Sequence, residues 1–191
     1  MALKSTSDQY GTVAVSIHWV SAVLVLILIG SGFRAANTVD LAAKATILRV
    51  HVPIAIGVLA LMLLRIVWWR GFDRKPGPVA GSPHWQEHTA QVVHVLFYVF
   101  ILGMIASGIG MIALSGAAPL IFGGDSVMLP DLWKYPPRLP HAIGARLLLG
   151  LLILHVGAAV YHHFVRRDGL LWRMWFSRRP AERLVEKGEM S

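Results

Sequence analysis

Nine histidines are the chemically informative residues of this sequence, because its 191 residues include few charged side chains and no cysteine. Five of them lie in or at the ends of long apolar stretches: His18, His51, His94, His141 and His155. An imidazole in hydrocarbon is costly unless it has a partner, so ionisable groups in such stretches indicate a functional site. One of them alone would as readily form an interhelical hydrogen bond, but five together favour the binding of a metal or cofactor.

His141 and His155 have the most informative spacing. Fourteen residues advance a helix by about 21 Å and leave the second side chain only about 40° from the direction of the first. The two imidazoles would therefore face the same way at two depths of a membrane, which suits two haems held on one helix. Two axial imidazoles give a haem iron with no open coordination position, and without cysteine a covalently attached c-type haem is excluded.

The depths of the other histidines predict partners for these two. His51 lies level with His141, so this pair is predicted to hold an outer haem. His18 lies level with His155 and is predicted to complete an inner haem. His94 lies at about the same level as His18 and is the alternative ligand. Whichever of these two is not a ligand would contact a haem propionate or a quinone.

Four apolar stretches must position these side chains. They cover about residues 13–33, 47–69, 90–114 and 141–165, and each is close to the roughly 20 residues that cross a bilayer. The chain is 55% hydrophobic and only 15% charged, and a chain of this length could not bury so much apolar surface in a soluble core. The sequence therefore predicts an all-α fold, an integral membrane four-helix bundle in contact with lipid.

The distribution of Lys and Arg predicts the orientation of the bundle. Basic residues cluster after the second stretch and in the tail 166–191, which holds seven of them. This bias places the N-terminal segment 1–12 and the tail 166–191 in the cytoplasm. The net charge of +8 comes from residues beside apolar stretches and not from one exposed basic face, so nucleic acid is not an expected partner.

Polar residues near the two predicted haem levels are candidate contacts. Near the inner level, Ser16 and His162 would give a quinone head group a polar edge. The Pro- and Gly-rich segment Ser115–Pro140 is long for a connection in a small protein, which predicts that it covers something. Near the outer level, four cations would bind a propionate or attract an anion, or would instead extend to lipid headgroups: Arg49, Lys134, Arg138 and Arg146.

Between about Tyr10 and Met174 the sequence resembles the bacterial cytochrome b-561 family. The matching residues are Ser16-Ile17-His18-Trp19, Arg49-Val50-His51 with Gly57, Val93-His94-Val95-Leu96-Phe97-Tyr98, His141, His155, Tyr161-His162-His163-Phe164 and the run from Asp168 to Met174. The resemblance implies a bundle in the bacterial inner (plasma) membrane that holds two haem b groups. Their ligands would lie on the first, second and fourth helices, which favours His18 over His94. One branch of the family oxidises periplasmic superoxide and reduces ubiquinone; that branch has a further histidine where this sequence has Gln91.

Two functions follow from these observations. The first is an oxidoreductase that transfers electrons from periplasmic superoxide, or another small donor, through two haem b groups to ubiquinone. The second is a non-catalytic, haem-carrying conduit for a periplasmic redox partner or for a dehydrogenase or hydrogenase subunit, as in the similar anchor subunits of membrane hydrogenases and formate dehydrogenases. Stable copurification with a partner would indicate the conduit. A transporter would need broken helices or a polar path.

Overall fold

The computed structural model describes residues 2–79, 81–123 and 129–176, and within these ranges it contains helices and no strands. Two of the long helices each continue as one π-helical turn, at Trp68–Phe72 and His162–Arg166. Residues 177–191 of the predicted tail and 124–128 of the predicted long connection lie outside the described residues. The helices are α1 Thr12–Asn37, α2 Leu41–Val67, α3 His84–Ser115, α4 Ala117–Gly123, α5 Arg138–Tyr161 and α6 Leu170–Arg173.

Four of these segments are long and apolar enough to cross a membrane, which confirms the predicted all-α membrane bundle. Each contains one predicted stretch and extends beyond it at both ends. Large apolar side chains along them are exposed, for example Leu63, Val99 and Leu154, as a surface in contact with lipid requires. The segments are Thr12–Asn37, Leu41–Phe72, His84–Ser115 and Arg138–Arg166.

Polar residues and glycine explain why the helices are longer than the apolar stretches. The Asp40 carboxylate accepts a hydrogen bond from the Ala43 amide at 2.7 Å, so α2 begins at Leu41 with a capped first turn. Gly116 ends α3 with a φ of 63°, a left-handed conformation that glycine adopts without strain. Helices thus begin and end in polar sequence at the membrane surface, where an apolar stretch gives no signal.

The long helices associate as two pairs. Helix α1 packs mainly along α2, and α3 packs mainly along α5. The pairs meet in a central apolar cluster to which all four helices contribute buried side chains: Val25, Val58, Met62, Ile101, Ile105 and Leu148. The histidines lie above and below this cluster, so apolar packing at mid-depth separates two polar levels.

Both described ends of the chain lie on one side of the bundle, which we call the basal side. The Arg173 guanidinium donates hydrogen bonds to the carbonyls of Asp8 and Gly77, each at 2.7 Å, and the Tyr10 amide donates to the Arg173 carbonyl at 3.2 Å. These bonds join three parts of the chain into a basal cap: the N-terminal segment, helix α6, and the connection that follows α2.

Asp73 is a second centre of the basal cap. Its carboxylate accepts hydrogen bonds from the Ser5 amide and hydroxyl, the Arg74 amide and the Trp68 indole, at 2.8–3.1 Å. Burial raises the pKa of Asp73, but these hydrogen bonds lower it by more, so the pKa lies below its ordinary value of 3.8.

We expect Asp73→Ala to lower the stability of the protein by roughly 1–2 kcal/mol, because hydrogen bonds to a charged acceptor are lost. A carboxylate whose folded pKa is lowered stabilises the folded state above its unfolded pKa, and the contribution is lost as the pH falls through the folded value. Thermal unfolding in detergent should therefore show a difference from wild type at neutral pH that shrinks below pH 3.8. A difference that does not depend on pH would contradict this account.

The opposite side of the bundle, which we call the distal side, is covered by α4. Ala117 and Ile121 of this helix pack with Leu129 against Ala45 of α2. The Arg49 Nε donates a hydrogen bond to the Ile121 carbonyl, and a cation is favourable at the C-terminal end of a helix. The described part of Ser115–Pro140 therefore covers the distal end of α2.

Candidate functional site

Three histidines from three helices converge near the basal ends of the bundle. The ring centroids of His18 (α1) and His155 (α5) are 6.4 Å apart, and those of His94 (α3) and His155 are 5.9 Å apart. Phe97, one turn after His94, lies edge-on to His155 at 5.2 Å. Arg65 of α2 is close enough to interact electrostatically with all three imidazoles. We call His18, His94 and His155 the inner set.

The spacing of the inner set fits two imidazoles on opposite sides of one metal. Bonds between a metal and an imidazole nitrogen are about 2 Å long, so two of them in line place the ring centres about 6 Å apart. Both His18 and His94 satisfy this distance from His155. Their exposure differs, since His18 is half-buried whereas His94 is exposed. The difference supports His18 as the more enclosed candidate.

Ser21 supplies an independent indication that the interior near His18 receives a polar group. It lies three residues beyond His18 on α1, is only 4% exposed, and its hydroxyl has no hydrogen-bond partner among the described residues. Buried polar atoms are nearly always partnered, so each exception needs an explanation. A cofactor with polar atoms at this level would complete the site, and the residues present fit a haem.

Two further histidines lie near each other towards the distal ends, and we call them the outer pair. His51 of α2 and His141 of α5 are half-buried and close enough for an electrostatic interaction. The Nδ1 of His51 lies 2.9 Å from the Ser31 hydroxyl of α1. The Nδ1 of His141 lies 2.9 Å from the Ser107 hydroxyl of α3 and 3.1 Å from the Met104 carbonyl. Each Nε2 therefore remains available as a ligand.

The cations predicted near the outer level have distinct surroundings. Arg49 caps α4 as described above, and the Arg138 guanidinium lies over the Trp133 ring at 4.4 Å. Arg146 donates back to the Ala142 carbonyl of its own helix at 2.8 Å. Lys134 lies in the 3₁₀ turn Leu132–Lys134. All four lie on the distal part of the bundle, and their contact with a propionate or an anion stays a prediction.

The two residues predicted to bind a quinone lie in different surroundings. The Ser16 side chain lines an open, mostly apolar groove of about 390 Å³, together with Trp19, Val20, Val23, Leu24 and Phe176. His162 does not line this groove; its Nδ1 lies 2.5 Å from the Asp168 carboxylate. Burial raises the pKa of Asp168, but the hydrogen bonds with His162 and the Leu170 amide lower it below the ordinary value.

Several residues at these sites are not found by reading the sequence for histidines and quinone contacts. Arg65 reads as a topology signal at the end of a span, yet it lies beside the inner set. Ser31 and Ser107 read as small polar residues of helix packing. A signal exists for them, since each is followed by glycine at the level of an outer histidine.

Four membrane-spanning helices whose histidines converge at two depths are the architecture of a helical membrane cytochrome. Comparison with known families agrees with this class. Residues 9–177 match the family described as prokaryotic cytochrome b561, and the chain belongs to this family. Membership implies electron transfer within a bacterial membrane and the binding of haem b.

Three curated relatives are similar to nearly the whole chain. Cytochrome b561 homolog 1 of Escherichia coli K12 is 25% identical over 87% of this chain and 97% of its own length. Cytochrome b561 homolog 2 of the same organism is 24% identical over 91% and 95%. A probable superoxide oxidase, CybB of Yersinia pestis, is 24% identical over 87% and 95%. No solved structure matches the chain significantly.

Proposed function

We propose that this protein is a di-haem b-type cytochrome that carries electrons across the bacterial inner membrane, from superoxide or another small donor to ubiquinone. The observation that carries the proposal is that one unbroken helix bears histidines at two depths of the bundle. Helix α5 runs from Arg138 to Tyr161 and bears both His141 and His155, which a continuous helix separates by about 21 Å.

The proposed ligands are His51 with His141 for the outer haem and His18 with His155 for the inner haem. Bound haem would supply one-electron redox chemistry, and these four imidazoles would hold it. The protein holds the two groups at fixed depths through α5 and encloses the space between them with the central apolar cluster. His94 would then contact the edge of the inner haem.

The proposed orientation places the basal side in the cytoplasm. Basic residues at the basal ends of the described helices include Arg70, Arg74, Lys75, Arg166 and Arg167. An excess of Lys and Arg in short loops marks the cytoplasmic side of a membrane protein. The distal side then faces the periplasm, where α4 and the turn Leu132–Lys134 lie.

The distal cations support an anionic donor. Positive charge around a site raises the local concentration of anions and their rate of encounter. One relative carries the name probable superoxide oxidase, and superoxide is a small anion. In the proposed reaction two superoxide anions lose one electron each and leave as dioxygen. One ubiquinone takes both electrons and two protons from the cytoplasmic edge and becomes ubiquinol.

The groove beside α1 is the proposed ubiquinone site. Trp19 forms one of its walls, and the Trp19 ring lies 5.5 Å from the His18 ring, so a quinone there would be close to the inner haem ligand. The Trp19 indole already donates to the Met174 carbonyl at 2.8 Å. Ser16 also lines the groove, and its hydroxyl would be the polar donor to the quinone head group. His162 does not line the groove, so it would act as a proton donor elsewhere at the basal end of α5.

We expect Ser16→Ala to raise the KM for ubiquinone by about two- to tenfold with little change in haem content, because one hydrogen bond to the head group is lost. Steady-state reoxidation of the reduced protein by a short-chain ubiquinone measures this. Ser115→Ala, which removes a hydroxyl from the distal end of α3, is the control. An unchanged KM in Ser16→Ala would place the quinone elsewhere.

The proposed function is tested on the purified protein with its haem. We expect two haem b groups per chain, reduction of both by superoxide generated enzymatically, and reoxidation by added ubiquinone. One haem per chain would contradict the di-haem arrangement. Two haems without reduction by superoxide, in a preparation that retains a partner subunit, would indicate the non-catalytic conduit for a redox partner.

A further inference from the structure

Each histidine of the outer pair is held through its Nδ1 by a serine on the neighbouring helix. Ser31 of α1 holds His51 of α2 at 2.9 Å, and Ser107 of α3 holds His141 of α5 at 2.9 Å. Each contact therefore lies within one of the two helix pairs. An imidazole bonded at Nδ1 can present only Nε2 to a metal, so the direction of these bonds matters.

The single hydrogen of the Ser31 hydroxyl determines which group donates in the bond between Ser31 and His51. A serine hydroxyl carries one hydrogen and two acceptor lone pairs. The Ser31 hydroxyl lies 2.6 Å from the Ile27 carbonyl of its own helix, and a carbonyl can only accept. The Ser31 hydrogen is therefore used within α1, and its oxygen accepts a hydrogen from Nδ1 of His51.

The Ser107 hydroxyl also has a single hydrogen, and at His141 a nearby carbonyl further restricts which group can donate. The Ser107 hydroxyl donates to the Met104 carbonyl at 2.9 Å, so its oxygen accepts from His141. Nδ1 of His141 also lies 3.1 Å from that carbonyl, which has no hydrogen to give. Nδ1 must carry the hydrogen here. In both histidines the lone pair is therefore on Nε2.

We infer that Ser31 and Ser107 are positioning residues for the outer haem: each fixes the tautomer and the ring orientation of one axial histidine. The inference rests on the proposed function, in which His51 and His141 are the outer ligands. A ligating histidine that donates its other N–H to an acceptor is a stronger electron donor to the metal, and such acceptors affect metal affinity by about 10–100-fold.

Glycine follows both serines, and at Gly32 it allows the His51 ring to lie close against α1. A Cβ placed on Gly32 would lie 3.3 Å from Cε1 of His51, and one on Gly108 would lie 3.5 Å from Cε1 of His141. The first distance requires the ring to shift, whereas the second is an ordinary contact. The Ser31–Gly32 pair therefore supplies both the acceptor and the space for the His51 ring, whereas at His141 the serine alone is required.

The two serine substitutions differ in whether the histidine keeps another acceptor for its Nδ1 hydrogen. His51 loses its described Nδ1 acceptor in Ser31→Ala. His141 keeps the Met104 carbonyl in Ser107→Ala. We therefore expect Ser31→Ala to weaken retention of the outer haem by about 10–100-fold and Ser107→Ala to weaken it by less than about tenfold. A physical role in packing alone would not predict this order.

The experiment measures haem transfer from the purified holoprotein to apomyoglobin, and the midpoint potential of each haem by redox titration. Ser31→Ala should release the outer haem and raise its potential, because a weaker ligand donor stabilises the ferric state less. Ser31→Thr keeps a hydroxyl, so its haem retention and midpoint potential should match those of the wild type. Ser31→Val has the shape of Ser31→Thr but no hydroxyl, so both quantities should change as in Ser31→Ala. Ser115→Ala is the matched control, since the Ser115 hydroxyl bonds the Ile112 carbonyl of α3 and no histidine among the described residues.

His51→Ala distinguishes the two ways in which the inference can fail. If His51→Ala keeps two haems with unchanged spectra, the ligand assignment is wrong and the inference is overturned with it. If His51→Ala loses the outer haem but Ser31→Ala and Ser31→Val behave as Ser115→Ala does, only the role of the serines is overturned. If Ser31→Ala cannot be purified, the comparison of Ser31→Thr with Ser31→Val decides.

Discussion

A His155→Ala variant is expected to retain one haem per chain instead of two and to lose electron transfer to ubiquinone. His155 lies between His18 and His94, with ring centroids 6.4 Å and 5.9 Å away, so every proposed arrangement of the inner site uses it. The outer pair does not depend on it. Haem content by the pyridine haemochrome assay should therefore halve, while reduction of the remaining haem by an outside donor should persist.

His84→Ala is the control for this variant, because His84 is fully exposed at the start of α3. It should retain both haems and full activity. Two haems in a properly inserted His155→Ala protein would remove the basis of the inner site. Loss of both haems, with the outer pair intact and the helices folded by circular dichroism, would show that the two sites do not bind independently.

His18→Ala and His94→Ala are expected to differ in haem content although the ring centroids of His18 and His94 lie at similar distances from that of His155, 6.4 Å and 5.9 Å. We expect His18→Ala to lose the inner haem, because His18 is half-buried in the bundle and Ser21 places a second polar atom beside it. His94 is exposed, and His94→Ala should keep two haems per chain. Haem content together with the low-spin ferric EPR signals of each variant measures the difference.

The opposite result would reverse the assignment of the inner ligand. Loss of a haem in His94→Ala, with two haems in His18→Ala, would make α3 the source of the ligand and leave His18 at the edge of the site. A partial loss in both would indicate that either imidazole can bind the iron. The EPR signals separate these cases, because a changed axial ligand changes the g values of the remaining haem.

The membrane bundle was predictable from the sequence because its physical cause is local. Each span needs only a long apolar stretch, and each of the four stretches is present. The two levels were also predictable, since a continuous helix fixes the rise between His141 and His155 at about 21 Å. Helix ends were less accessible. Asp40 and Gly116 begin and end helices through caps that lie outside the apolar stretches.

Features that depend on contacts between helices could not be read from local sequence. Helix α4 carries Pro119 in its first turn, where proline is tolerated, but in the sequence that proline indicates a loop. The bond between Ser31 and His51 depends on how α1 rotates against α2. For the same reason the sequence left His18 and His94 as alternatives: depth follows from the number of residues, whereas enclosure follows from packing.

The pairing of the long helices has a consequence for biogenesis. Each serine–histidine contact lies within one pair, α1 with α2 or α3 with α5, whereas each proposed haem takes one ligand from each pair. Each helix pair can therefore orient its own histidine of the outer pair once it is inserted into the bilayer, before haem binds. Haem would then bind last, and its binding would connect the two preformed helix pairs.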